Sequence, residues 1–167
     1  MQNINDNITT NFKWYEVFQS DTAARLNINN VTDDPVILGR IKYLFETCVQ
    51  PARDHFGVPI RINSGYRSPE LNKAVNGSPS SFHSIGAAAD LSFPNFTVPL
   101  VELFKFFHGR KTYAELIAEE ISDSSGWIHI AIVKGVVNKA ALKYKLKGKS
   151  VMLANYNTVM EQAFNLV

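Results

Sequence analysis

Apolar positions divide the chain into segments of two periods. Between Asp34 and Gly57 they recur every three or four residues (Ile37, Leu38, Ile41, Leu44, Phe45, Cys48, Val49), the spacing of an amphipathic helix. Asp34 followed by Pro35 supplies a cap and a first-turn residue. Gly57 ends the pattern, and Pro51 predicts a kink or a break inside it. Shorter helices are expected from Lys13 (KWYEVF), over SDTAARL with Ser20 and Asp21 as caps, over 101–107 and over 151–164. Alternation marks strands at 59–63 (PIRIN), from Asp90 (DLSF), at 115–121 (ELIAEEI) and at 127–133 (WIHIAIV). The last two are joined by SDSSG, a hairpin loop by composition. The fold class expected is α+β: one domain over residues 11–167, a small antiparallel sheet with flanking helices. The polar, Asn-rich residues 1–10 read as a flexible tail.

Composition narrows the class without choosing a function. The 167 residues are 46% hydrophobic and 19% charged, as in an ordinary globular protein. A net charge of +2 is too mild to call for nucleic acid, and none is expected as a partner. The single cysteine, Cys48, excludes an intrachain disulfide framework and reads as a buried thiol in the helix pattern. No apolar run is long enough to cross a membrane, and MQNINDNITT carries no secretory signal, so synthesis in the cytoplasm is expected. A monomer is expected. The run KYKLKGK (143–149) reads as an exposed edge strand guarded by lysines, with contact to an anionic cell wall as the second reading. His55 and His108 read as solvated helix positions, and Trp14 and Phe18 as packing.

The candidate chemistry lies in NSGYRSPELNKAVNGSPSSFHSIGAAADLSF, residues 63–93. His83 is followed seven residues later by Asp90, with small residues between them, and His129 waits in WIHIAI. Two imidazoles and one carboxylate leave a metal position open, as catalysis requires. In WIHIAI the residues Ile128, Ile130 and Ile132 are expected to face the core. His129 would then face the other way, with Trp127 and Ala131. Placed opposite His129, Glu119 would bring its carboxylate to the same face; a one-residue slip would exchange it for Glu120. Gly86 is expected to permit a turn with positive φ. An unpaired buried carboxylate at Asp90 would be costly, and a dication explains it. Zinc is preferred to iron, because non-haem iron oxygenases need a larger barrel than these strands can build.

The segment S-x-H-x-x-G-x-A-x-D (Ser81, His83, Gly86, Ala88, Asp90) resembles the signature of the zinc D-Ala-D-Ala carboxypeptidase family. That family includes L-Ala-D-Glu endopeptidases and shares a fold with the hedgehog signalling domain. SGYRSPELN, WIH and SDTAARL are also similar, the last to a small single-domain subgroup of bacteria and phages, and the likeness covers residues 12–133. The resemblance implies zinc on His83, Asp90 and His129, and a substrate carboxylate or carbonyl held by Arg67, with Ser81 as a neighbouring contact. It also implies hydrolysis of the peptidoglycan stem peptide by a carboxypeptidase or an endopeptidase, such as a phage lysis enzyme acting on the cell wall. Several branches carry an acidic general base three residues before the last His; here that position is Gly126. Glu119 is therefore the expected base, with Glu120 and Asp123 as alternatives. The competing expectation is a non-catalytic peptidoglycan-binding or structural virion protein that retains a metal site.

Overall fold

The computed structural model describes residues 3–122, 124–134, 141–147, 149 and 152–166. Within the segment expected as a tail, Ile8 is buried and packs into the core. Its N–H donates to Phe12 O at 2.8 Å, and Asn7 forms a bridge with Lys13. One buried side chain and several backbone hydrogen bonds to residues 12–15 fold the polar segment back.

Helices α1 (Trp14–Phe18) and α2 (Asp21–Leu26) follow. Ser20 Oγ caps the second by accepting from Ala23 N at 3.2 Å. Trp14 and Phe18 are core side chains, with rings stacked 6.1 Å apart. The long helical pattern is real but is made of three pieces: α3 (Pro35–Leu44), a π-helical turn over Phe45–Val49, and α4 (Gln50–Phe56). Asp34 accepts from Val36 N at 2.8 Å, and Gly57 closes the far end at φ +67°. The turn lies just before Pro51, where a ring without an N–H interrupts the ordinary ladder. The chain rewinds there instead of breaking.

Then come β1 (Arg61–Ser64), α5 (Pro69–Ala74), β2 (Ala88–Ser92), α6 (Leu100–Arg110), β3 (Glu115–Glu119), β4 (Trp127–Ala131), β5 (Ala141–Lys145), β6 (Met152–Leu153) and α7 (Tyr156–Phe164). The strands form one sheet in the order β1-β2-β4-β3-β5-β6. The α+β class holds, but the sheet is mixed: β3 and β5 run parallel, and all other pairs are antiparallel. Residues 143–145 of the KYKLKGK run are therefore not an edge: they end β5, which lies between β3 and β6, and the two-residue β6 takes the edge. Strand β2 also starts earlier than expected, because Ala88 and Ala89 pair with Ala131 and Ile130.

Parity separates the two faces of the sheet. Ala89, Leu91, Leu116, Ala118, Ile128 and Ile130 are buried in the core. Helices α6 and α7 pack against β3 on that side, and α6 also meets β4. Asp90, His129, Ile117 and Glu119 alternate with the core residues and so share the opposite face. Gly86 occupies a point where this arrangement is tight. It adopts φ +71°, and a Cβ there would lie 2.8 Å from Ile37 Cγ2 and 2.9 Å from Ile37 O. Gly86→Ala is expected to destabilise the fold by more than about 2 kcal/mol, from left-handed strain plus overpacking; urea denaturation measures the loss.

Candidate metal centre and cleft

An open cleft of about 830 Å³ lies over the polar face of the sheet. Its floor carries Asp90, His129, Ile117 and Glu119, and its walls include Ser20, Asp21, Arg67 and residues 75–78 and 80–83. Asp90 and His129 face each other directly in the β2·β4 ladder, so sheet register alone brings carboxylate and imidazole together. His83 comes from a 3₁₀ turn, Phe82–Ile85, whose N-terminus is capped by Ser81 Oγ accepting from His83 N. Ser81 thus holds the turn that carries His83, and it also lines the cleft.

Three atoms converge. His83 Nε2 lies 3.2 Å from Asp90 Oδ1 and 3.2 Å from His129 Nδ1; His129 Nδ1 lies 2.8 Å from Asp90 Oδ1. All three residues are buried, and they form a group able to hold a metal ion. Ligands on tetrahedral bonds of about 2.0–2.1 Å stand roughly 3.3 Å apart, so the spacing suits such an ion. The tautomers agree with that fit. His83 Nδ1 lies 2.6 Å from Gly65 O, which only a ring N–H can satisfy. In the neutral ring this leaves a lone pair on Nε2 pointing at a carboxylate oxygen and a second imidazole nitrogen. A cation among these three atoms, a proton or a metal ion, would relieve their mutual repulsion.

The charge states follow from burial and neighbours. Burial pushes His83 below the usual histidine range, so it is neutral at pH 7. Burial opposes ionisation of Asp90, but the N–H and charge of His129 hold its carboxyl well below the usual carboxylate range. His129 is also disfavoured by burial as a cation, yet Asp90 and Glu115 raise it to about 9. A proton on His129 thus compensates the buried charge in the metal-free protein.

Arg67 stands beside this group. Its Nη2 donates to Asp90 Oδ2 at 2.8 Å, and its Nε donates to Ser64 Oγ at 2.9 Å. The segment around Arg67 is clamped by Asn30, buried in a stretch that reads as a turn. Asn30 Nδ2 donates to Phe18 O and Tyr66 O, and its Oδ1 accepts from Ser68 N at 2.7 Å.

Glu119 lies opposite Trp127, and Ile117 is the residue opposite His129. Glu119 thus stands two residues away from the position opposite His129. Because two is even, Glu119 keeps the expected face and lines the cleft. Burial, and then the negative charge of Asp90, push its carboxyl up, while His129 and Lys145 act the other way. Lys145 Nζ lies 3.6 Å from Glu119 and 3.5 Å from Glu120. Glu120 leaves the strand at φ +55°, and Asp123 lies outside the described residues. Glu115 is the residue that the pattern did not single out: its Oε2 reaches within 3.3 Å of His129 Nε2 and its Oε1 pairs with Lys143. Burial disfavours its charge, but His129 and Lys143 hold it down at about 2. The same-face parity of Glu115 and Glu119 was the available signal.

The remaining candidates lie elsewhere. Cys48 is in the core, where burial pushes its thiol up. His55 is exposed and packs on Phe56 and Phe106. His108 was expected to be solvated but is half-buried: its Nδ1 lies 2.8 Å from Tyr113 Oη, and its ring stacks on Tyr156. Among the described residues, no helix is long and apolar enough to cross a membrane.

A cleft lined by two histidines, an aspartate and two glutamates has the makings of a hydrolase centre. The family model described as Peptidase M15 matches residues 11–131, and the chain belongs to that family of zinc D-Ala-D-Ala carboxypeptidase-like peptidases. No curated protein matches the chain. The match ends with β4, so β5, β6 and α7 lie beyond it.

The opposite charge states of the two histidines carry a pH consequence. A metal must displace the proton of His129 but none from His83. Metal uptake at pH 7 is expected to release about one proton, and affinity to rise about tenfold per pH unit up to about pH 9. Titration calorimetry in buffers of different protonation enthalpy counts the protons released.

Proposed function

We propose that this protein is a zinc-dependent peptidase that cleaves the stem peptide of peptidoglycan, as a carboxypeptidase or an endopeptidase. The convergence of His83 Nε2, Asp90 Oδ1 and His129 Nδ1 on the floor of an open cleft carries this reading. These three residues would hold the zinc and leave coordination free on the cleft side. When bound, the ion supplies Lewis-acid activation of water and of the scissile carbonyl. The family supports a peptide as substrate, and the likeness to zinc D-Ala-D-Ala carboxypeptidases points to D-residue peptides.

Glu119 is the general base in this reading. It takes a proton from the attacking water as the C–O bond forms, and it returns that proton to the nitrogen as the C–N bond breaks. Its environment suits the task better than that of Glu115, which faces His129 with one carboxylate oxygen and Lys143 with the other and is held near 2. The raised carboxyl of Glu119 gives it the stronger affinity for a proton. Gly126 cannot supply the acid in its place. It adopts φ +111°, and a Cβ there would lie 2.9 Å from the carbonyl oxygens of both Glu119 and Glu120. Arg67 contacts the substrate's carboxylate or carbonyl: two of its five donor positions serve Asp90 and Ser64, and the side chain lines the cleft.

The test is mass spectrometry of peptidoglycan peptides incubated with zinc-loaded protein. Loss of a terminal D-Ala marks a carboxypeptidase, and an internal cut marks an endopeptidase. His83→Ala is expected to lose both zinc and activity. Glu119→Gln is expected to keep zinc and lose activity by about 10²- to 10⁴-fold. A fully active Glu119→Gln removes that residue from the mechanism. Stoichiometric zinc without turnover on any such peptide would instead support a non-catalytic binding protein.

A further inference from the structure

The outer nitrogen of His129 has no hydrogen bond among the described residues, although it is buried. Its tautomer makes this important. Nδ1 is the nitrogen that faces His83 and Asp90. If Nδ1 gives its lone pair to a cation, the proton of the neutral ring must sit on Nε2, and a buried N–H needs an acceptor. Glu115 Oε2 stands 3.3 Å away, within reach of a hydrogen bond without yet making one.

We propose that Glu115, braced by Lys143, is the positioning residue that accepts the Nε2 proton of His129 and orients its ring, so that β5 completes the metal centre. The proposal rests on the metal reading above. His83 shows the same design more fully formed, its Nδ1 at 2.6 Å from Gly65 O. Each imidazole then has one nitrogen inward for the ion and one outward on an oxygen acceptor, the usual support of a metal-bound histidine. The brace comes from strand register. Lys143 lies opposite Ile117 in the parallel β3·β5 ladder, on the same face as Glu115, and its ammonium pairs with the other carboxylate oxygen. Exposure falls steadily along the chain of contacts, from 24% for the Lys143 side chain to 17% for Glu115 and 8% for His129. Lysine is thus the solvent-facing end of a row that leads into the buried site. Lys143 lies beyond residues 11–131, so this brace comes from the part of the chain that the family match does not reach.

Zinc affinity measured by competition with a chromophoric chelator tests the proposal on the full chain. Glu115→Ala and Glu115→Gln are expected to bind zinc about 10- to 100-fold more weakly than wild type, and Lys143→Met to weaken binding by less. Long-range proton–nitrogen correlation spectra of the zinc-loaded wild type should place the His129 proton on Nε2. In Glu115→Gln that signal should shift and its proton exchange faster with water, a change that loss of general packing would not produce. Lys143→Met provides the readout if Glu115→Ala does not fold. Unchanged affinity and an unchanged Nε2 signal in Glu115→Gln, with tight zinc in the wild type, overturn the role of Glu115 alone. A wild type that binds no zinc overturns the metal reading and this proposal together.

Discussion

A carboxylate buried on the inner strand of a sheet is the constraint around which this molecule is built. Asp90 is 5% exposed and sits opposite His129 on the neighbouring strand. An isolated charge there would be very costly, so the surroundings must answer it. One oxygen faces two imidazole nitrogens, and the other receives Arg67. Much else serves these contacts. Ser81 and Gly86 bound the turn that delivers His83, and Asn30 fixes the backbone on both sides of Arg67. In the metal-free state a proton on His129 provides the compensation; a divalent ion would replace it with more charge at the same point.

The two glutamates of β3 feel this constraint differently. They share a face with His129, yet they are held in different electrostatic surroundings. Glu115 lies between an imidazole and an ammonium and stays ionised, which suits an acceptor that orients a ring. Glu119 is more deeply buried, feels Asp90, and is pushed up, which suits a group that must take and return a proton. The glycine at position 126 belongs to the same arrangement: the backbone there passes against the carbonyls of Glu119 and Glu120, leaving no space for a side chain.

Local physics made much of this readable in the chain. The caps at Ser20 and Asp34, the stop at Gly57 and the positive φ of Gly86 depend on nearest neighbours and stand as expected. Alternation in WIHIAI turned His129 away from the core, and Ile128 and Ile130 toward it. Non-local facts were less accessible. The register of Glu119 was not legible, because any even shift leaves the alternation unchanged. Nothing local in KYKLKGK names β3 as a parallel partner, so lysines that would guard an edge instead face glutamates across the cleft floor. Ile8 and Asn30 were hidden by polar surroundings, since one buried side chain leaves no periodic trace. Pro51 announced an irregularity but not its form, a π-helical turn that keeps the helix going.

X-ray absorption at the zinc edge of the reconstituted protein tests whether His83, Asp90 and His129 hold the ion. One equivalent of zinc is expected in a shell of nitrogen and oxygen, with two imidazoles and at least one ligand not supplied by the protein. The His83→Ala variant is expected to lose one imidazole. Failure to take up stoichiometric zinc, or a shell without two imidazoles, would contradict that assignment.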